Sequence, residues 1–250
     1  MIAEGQFIDS NLDRFEKVSF VIPAHNEADF IRPTILAIHD AAKVCEIEYE
    51  ILVINDDSTD RTPELARESG AKVTNVKLRN IGAVRNAGAR EANHPWLFFI
   101  DADTTLPAKT LRGALTALAN GSAGGGARVV IDETQPLFWL KRVMYLCVVM
   151  IWQVIGGWAA GCFMYCRKDV FESFGGFNEK FFAAEELFFS RAVKRCGRFH
   201  LVRSPVHTSA RKLHRYSTWE LVRFVTSPLL NFWSPLRSRK GLDILYQDDR

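Results

Sequence analysis

The sequence predicts an α/β domain with a mostly parallel central sheet flanked by helices, and three observations carry that expectation. Short runs of apolar residues alternate with helical patterns through the first half of the chain. Those runs are almost continuously apolar, as strands covered on both faces are, and do not alternate as half-exposed strands do. Each run also ends in a polar cluster, and ligands in open parallel sheets sit outside the carboxyl ends of the strands.

Taken in order, Val18–Pro23 (VSFVIP) reads as a first buried strand, and Arg32–Val44 as a helix with Pro33 in its first turn. Glu50–Asn55 (EILVIN) is a second strand. Thr62-Pro63-Glu64 opens a helix as N-cap followed by proline, and Gly70 ends it. Lys72–Lys77 is a third strand, Gly82–Ala92 a helix and Trp96–Ile100 (WLFFI) a fourth strand. The helix after Pro107 runs to about Asn120 and stops at Gly121. Beyond Gly124-Gly125-Gly126 a strand runs to Asp132, and GCFMYC (161–166) is another. Glu185–Cys196 is a helix closed by Gly197, and Ser217-Thr218-Trp219-Glu220 is a capping box for a last helix.

Between these lies Val143–Cys166, almost devoid of polar residues except Gln153. Its length admits a membrane span, but Gly156-Gly157 splits it and leaves only about a dozen apolar residues ahead of the split. A core helix and an interfacial helix beside a lipid acceptor are the competing expectations.

A chain of 250 residues, 48% hydrophobic and 24% charged, has the composition of a folded protein with room for one sizeable core. The net charge of +3 gathers in the last fifth of the chain, too diffusely for a nucleic-acid binder. It suits a phosphate-bearing substrate or an anionic membrane surface. The five cysteines are odd in number, and Cys162-x₃-Cys166 lacks the second pair of a zinc site, so free thiols are expected. The acidic N-terminus MIAEGQFIDSNLDRFEK has no apolar core of a secretory signal. Both features point to the cytoplasm, with a peripheral contact at the inner face of the membrane as the alternative.

Three polar clusters fall at strand ends: Pro23-Ala24-His25-Asn26-Glu27, Asn55-Asp56-Asp57-Ser58 and Asp101-Ala102-Asp103. Asp101 and Asp103 stand two positions apart, and if strand geometry persists they project to the same side. Paired hard oxygens suit Mg²⁺ or Mn²⁺ shared with a phosphate. Taken alone, the pair is as well explained by capping of the loop that follows.

Six segments then form an ordered set: FVIPAHNEADFI, ILVINDDSTDRT, RNIGAVRNAGAREA, FFIDADTTL, GGFNEKFFAAEELFFSRAVKRCGR and TSARK. In order and spacing they resemble the family 2 glycosyltransferases of GT-A fold, across about Val18–Lys212. The resemblance implies an N-terminal extension at 1–17, a single GT-A domain at 18–215 and a C-terminal helical tail at 216–250. The domain would have a nucleotide-binding half at 18–121 and an acceptor half at 122–215.

It also implies roles. Pro23, Ala24, Asn26 and Glu27 would line the nucleotide pocket and Asp56 would read the uracil edge. Arg85 would lie near the base or phosphates. In the D-x-D motif, Asp101 would contact the ribose and Asp103 the metal, with Ala102 between them. Asn55 and Asp57 depart from the family's D-D-G-S pattern. Glu186 falls where the family carries a catalytic aspartate and would be the base, with Glu185 supporting acceptor or sugar binding. Trp158 would lie near the acceptor, Arg211 and Lys212 would neutralise the leaving diphosphate, and His214 would be a further metal ligand.

The implied reaction is a metal-dependent transfer, with Mg²⁺ or Mn²⁺, of a sugar from a nucleoside diphosphate, UDP first, to a hydroxyl acceptor with inversion. A retaining transferase of the same fold and a non-catalytic sugar-nucleotide binder are the rival readings. A sugar nucleotidyltransferase would need a glycine-rich phosphate loop after the first strand, and PAHNEADF has no glycine.

Overall fold

The computed structural model describes residues 17–132, 157–180 and 185–209. Within them eight strands form one sheet, in the order β3-β2-β1-β4-β7-β6-β8-β5. Strands β1 (Val18–Ala24), β2 (Tyr49–Asp56), β3 (Lys72–Val76) and β4 (Trp96–Ile100) are mutually parallel. β6 (Gly124–Asp132) and β8 (Phe199–Ser209) run the same way. β7 (Phe163–Arg167) lies antiparallel between β4 and β6, and the two-residue β5 (Thr104–Thr105) lies antiparallel on β8.

Six helices accompany the sheet among the described residues: α1 (Ile31–Cys45), α2 (Thr62–Glu68), α3 (Ile81–Glu91), α4 (Ala108–Ala119), α5 (Lys168–Ser173) and α6 (Glu185–Cys196). Strand β4 explains why the apolar runs are continuous. Trp96, Phe98 and Ile100 enter a core with Ile31, Ile35 and Ile38 of α1 and Leu111, Leu115 and Leu118 of α4. Leu97 and Phe99 face the opposite core, with Val84 of α3, Phe171 of α5 and Phe189 and Val193 of α6. A strand clad on both faces reads as a near-continuous apolar run.

The helix starts differ in detail from the sequence expectation. Thr62 sits inside α2 rather than capping it, and its N–H is held by the Asp60 carboxylate at 2.9 Å. Asn80 caps α3, accepting from the Ala83 N–H at 2.9 Å. Gly70 and Gly121 follow their helices with φ of +89° and +81°, the left-handed stop that glycine adopts without strain.

Three elements were not anticipated, the two-residue β5 among them. The short α5 follows β7 directly. β8 pairs with β6 along Gly124–Asp132, with a register shift at Ala127/Arg128, where Arg128 meets Pro205. Proline lacks the ladder N–H, so the pairing is accommodated at an irregularity. That proline, and the presence of few apolar residues besides Val202 and Val206, hide the strand in the sequence. No disulfide joins the four described cysteines, Cys45, Cys162, Cys166 and Cys196, to one another.

Helix α3 lies against β1 and β2 more closely than any side chain at Gly88 allows. A methyl carbon there would stand 2.3 Å from Val21 Cγ1 and 3.0 Å from Ile54 Cγ1. Alanine would favour the helix by about 1 kcal/mol, but overpacking a filled core costs about 1–3 kcal/mol. Gly88→Ala is therefore expected to lower the urea midpoint with an unchanged slope.

Candidate active site

The carboxyl ends of β1, β2 and β4 lie at one edge of the sheet, and side chains stitch their loops together. The Asn26 N–H donates to Ser58 Oγ (3.0 Å), the Glu27 N–H to Thr62 Oγ1 (2.7 Å) and the Ala28 N–H to Asp60 Oδ2 (3.1 Å). Asn26 Oδ1 accepts in return from the Thr59 N–H at 2.8 Å. Asn26, Asp57 and Arg79 hold φ of +53°, +59° and +49°. Such conformations are uncommon for non-glycine residues and persist where surrounding bonds over-determine them.

Pro23, Ala24, Asn26 and Glu27 thus share one rim with Asp56. Both Asp56 carboxylate oxygens already accept loop N–H groups, from Leu78 at 2.7 Å and Arg79 at 2.8 Å. Asp56 thus anchors the loop between β3 and α3. His25 Nδ1 reaches the Asp56 carbonyl at 2.6 Å, which fixes that nitrogen as the donor. Asn55 is turned towards β3, its Nδ2 donating to Asn75 Oδ1 at 2.8 Å. It lines an open recess of about 470 Å³ with Asp57, Ser58 and Lys77 that contains none of the acidic residues discussed next.

Arg85, expected near the base or phosphates, is 1% exposed. Nη1 donates to Glu185 Oε1 at 2.7 Å, and Nη2 to Asp101 Oδ1 at 2.8 Å and to the Gly161 carbonyl at 2.9 Å. Phe177 covers the guanidinium at 5.6 Å. Burial pulls its pKa down, but the charges of Asp101 and Glu185 outweigh that and raise it further. Charge-assisted bonds of this kind are the strong ones. The strut joins the end of β4 to the first turn of α6.

Asp101 and Asp103 do not keep strand geometry. β4 ends at Ile100, and the Thr104 N–H bonds to the Asp101 carbonyl at 3.1 Å, closing a turn around Ala102. The alternation argument for the two carboxylates therefore fails: Asp101 turns to Arg85, and Asp103 turns to β8. Thr208 Oγ1 approaches Asp103 Oδ1 at 3.4 Å, and the Ser209 N–H donates to the Asp103 carbonyl at 3.3 Å.

Glu185 and Glu186 open α6, where the helix dipole favours anions. Glu185 is 8% exposed and spoken for by Arg85. Burial first, and then the neighbouring Glu185 charge, push the Glu186 carboxyl up to about 8. Ser190 fixes the local backbone, donating from Oγ to the Glu186 carbonyl (2.7 Å) and accepting from the Ala159 N–H (2.9 Å). Trp158 packs beside the same helix, with the Arg191 guanidinium 5.8 Å from its ring.

Sequence reasoning missed three site features: Arg85 as a strut, Ser190 as a tie and the Gly161 carbonyl as an acceptor for Arg85. Arg85 and Asn86 stand side by side on α3. Asn86 clamps Phe177, donating to its carbonyl at 2.9 Å and accepting from its N–H at 2.8 Å. A buried arginine beside a buried asparagine on a glycine-containing helix was the available signal. The expectations for Arg211, Lys212 and His214, for the apolar stretch at 143–155, for the extension at 1–16 and for the tail at 216–250 lie outside the described residues. Among the described residues no helix is long and apolar enough to cross a membrane.

The chain was compared with known proteins. Residues 19–182 match the family model described as "Glycosyl transferase family 2". A relative from Bacillus subtilis (strain 168), "Probable glycosyltransferase YdaM", is 28% identical over 196 residues, covering 70% of this chain and 46% of its own length. The chain thus spans less than half of that relative. S. aureus TarS 1-349 in complex with UDP-GlcNAc superposes with TM-score 0.61 at 17% identity, covering 92% of this chain and 71% of that one. Mannosyltransferase PcManGT from Pyrobaculum calidifontis, in complex with GDP-Man and Mn²⁺, gives TM-score 0.62 at 19% identity over 96% and 66%. At those identities the likeness concerns the fold, a GT-A arrangement.

Proposed function

This chain belongs to glycosyl transferase family 2, and we propose that it transfers a sugar from a nucleoside diphosphate to a hydroxyl acceptor by a single, inverting displacement. The observation that carries the reading is the Arg85 strut, which fastens the acidic first turn of α6 to the donor end of β4. The donor nucleotide lies across the rim of Pro23, Ala24, Asn26, Glu27 and Asp56, with Asp101 near its ribose. The acceptor approaches from the side of Trp158.

Glu186 takes the proton of the acceptor hydroxyl as that oxygen bonds to the anomeric carbon. The bond from that carbon to the phosphate oxygen breaks, and its electron pair leaves with the diphosphate. Glu185 is held in place by Arg85, so Glu186 is the carboxyl left to receive the proton.

Among the described residues no three His, Cys, Asp or Glu converge on one point. Asp103 still fits a cation that keeps waters and takes its remaining ligands from substrate phosphates, as Mg²⁺ and Mn²⁺ do. When bound, such an ion supplies positive charge where the diphosphate gains negative charge. Arg211 and Lys212, which follow Ser209 by two and three residues in sequence, serve the same end. A GDP-linked donor competes with the UDP-linked one, because Asn55 and Asp57 depart from the family pattern beside Asp56.

Titration calorimetry with UDP and GDP, each with and without Mn²⁺, tests the donor and metal parts together. Mn²⁺ is expected to tighten one nucleotide by at least about tenfold, roughly 1.4 kcal/mol. Asp103→Ala is expected to erase that gain and leave the metal-free affinity alone. Equal tightening by Mn²⁺ in the variant would remove Asp103 from the metal site.

A further inference from the structure

Among the described glycines, Gly161 alone faces Arg85, Glu185 and Glu186 together. A methyl carbon placed on it would stand 3.8 Å from Arg85 Nη2, 3.8 Å from Glu186 Oε2 and 3.9 Å from Glu185 Oε1. These are ordinary van der Waals separations, so alanine meets no clash among the described residues. Its φ is not in the left-handed region, unlike that of Gly157, Gly175 or Gly176. Neither the turn nor the packing therefore requires glycine here.

The contrast within the same chain sharpens the point. Gly124, Gly125 and Gly126 are enforced by their neighbours, where a methyl carbon would meet other atoms at 2.5, 1.8 and 2.6 Å. Gly161 is under no such constraint, and glycine carries an entropic cost on ordering that alanine avoids. Its backbone is also pinned on both sides. Its own carbonyl accepts from Arg85 at 2.9 Å, and the next carbonyl, of Cys162, accepts from the Asp101 N–H at 3.2 Å. Among the described residues, this pinned segment thus leaves a methyl-sized space open before two carboxylates and a guanidinium.

We infer that Gly161 is a clearance residue: the space its missing side chain leaves is where the reacting hydroxyl of the acceptor meets Glu186. The inference rests on the transferase reading above and adds a specificity determinant to it. The space admits a slim alcohol carbon bearing the hydroxyl, and a methyl group at residue 161 occupies it. The carboxylate and its proton-accepting oxygen stay where they are, but the attacking oxygen is displaced. A misplacement of about 1 Å costs roughly 10²-fold in rate.

Gly161→Ala and Gly161→Val test this against wild type. The probes are UDP-glucose, UDP-GlcNAc and GDP-mannose with Mn²⁺, with release of nucleoside diphosphate followed in water alone and with glycerol or octyl glucoside added. The expected result for Gly161→Ala is an unchanged or higher Tm, nucleotide affinity within about twofold, and transfer to the alcohols reduced by about 10²-fold. Gly161→Val is expected to lose more. Wild-type turnover matched by Gly161→Ala would overturn the inference and leave the transferase reading standing. A lowered Tm with weakened nucleotide binding would overturn it too, by making the glycine structural. Absence of wild-type turnover with every donor would instead overturn the transferase reading itself.

Discussion

Glu186→Gln is expected to bind donor nucleotide as wild type does and to lose turnover by about 10²–10⁴-fold, the range a positioned general base supplies. The amide keeps the shape and much of the hydrogen bonding of the carboxyl but cannot accept the acceptor's proton. Because Arg85 is bonded to Glu185 and not to Glu186, the swap leaves the strut intact. Retained turnover in this variant would end the assignment of Glu186 as base.

The raised pKa gives the same variant a second, independent readout. Burial and the adjacent Glu185 lift the Glu186 carboxyl from 4.5 to about 8 in the folded chain. Below about pH 4.5 both folded and unfolded chains hold this proton, and the group costs nothing. Between there and about 8 the unfolded chain releases the proton while the folded chain keeps it, so stability falls as pH rises; above 8 the full penalty is present. Each unit of displacement is worth about 1.4 kcal/mol. Glu186→Gln removes the penalty, so its Tm should match wild type near pH 4 and exceed it by several degrees at pH 9. In wild type kcat/KM should rise with pH towards about 8, because the free enzyme must shed this proton before Glu186 can act as a base. A Tm difference independent of pH would show that the carboxyl is not held protonated.

What the sequence disclosed followed the physics of burial. The WLFFI run had to be a strand clad on both faces, and a row of such runs ending in polar clusters had to place those clusters on one edge. The Glu185-Glu186 pair was recognisable through the family resemblance, which places an acidic pair at a helix start, where anions are favoured. Arg85 was legible as a site residue but not as a strut. Its partners Asp101 and Glu185 lie 16 and 100 residues away, and pairing at that separation leaves no local periodicity. The condition set for Asp101 and Asp103, that strand geometry persists, lapses for a local reason: the strand ends at Ile100, ahead of both. β8 went unseen because its central Pro205 argues against a ladder, and only the register shift opposite it reconciles the two.

Arg85→Met is expected to destabilise the protein by about 3–5 kcal/mol, the cost of breaking a buried ion pair from one side. The reason lies less in the lost attraction than in what is left behind. Asp101 and Glu185 would stay nearly enclosed with no countercharge, and the Gly161 carbonyl would lose its donor. Arg85→Lys keeps the charge, but a single ammonium cannot reproduce the fork that reaches Glu185 through one nitrogen and Asp101 through the other. It should therefore hold part of the stability while lowering kcat more than it raises the donor KM, because α6 loses its register to β4. The double variant Arg85→Met/Glu185→Gln discriminates between a stranded charge and lost packing. If the charge is the cause, removing it should recover a measurable part of the loss in urea denaturation. If the double variant is as unstable as the sum of its parts, the cost is packing around Phe177, and the strut is not what fastens the acidic turn of α6 to the end of β4.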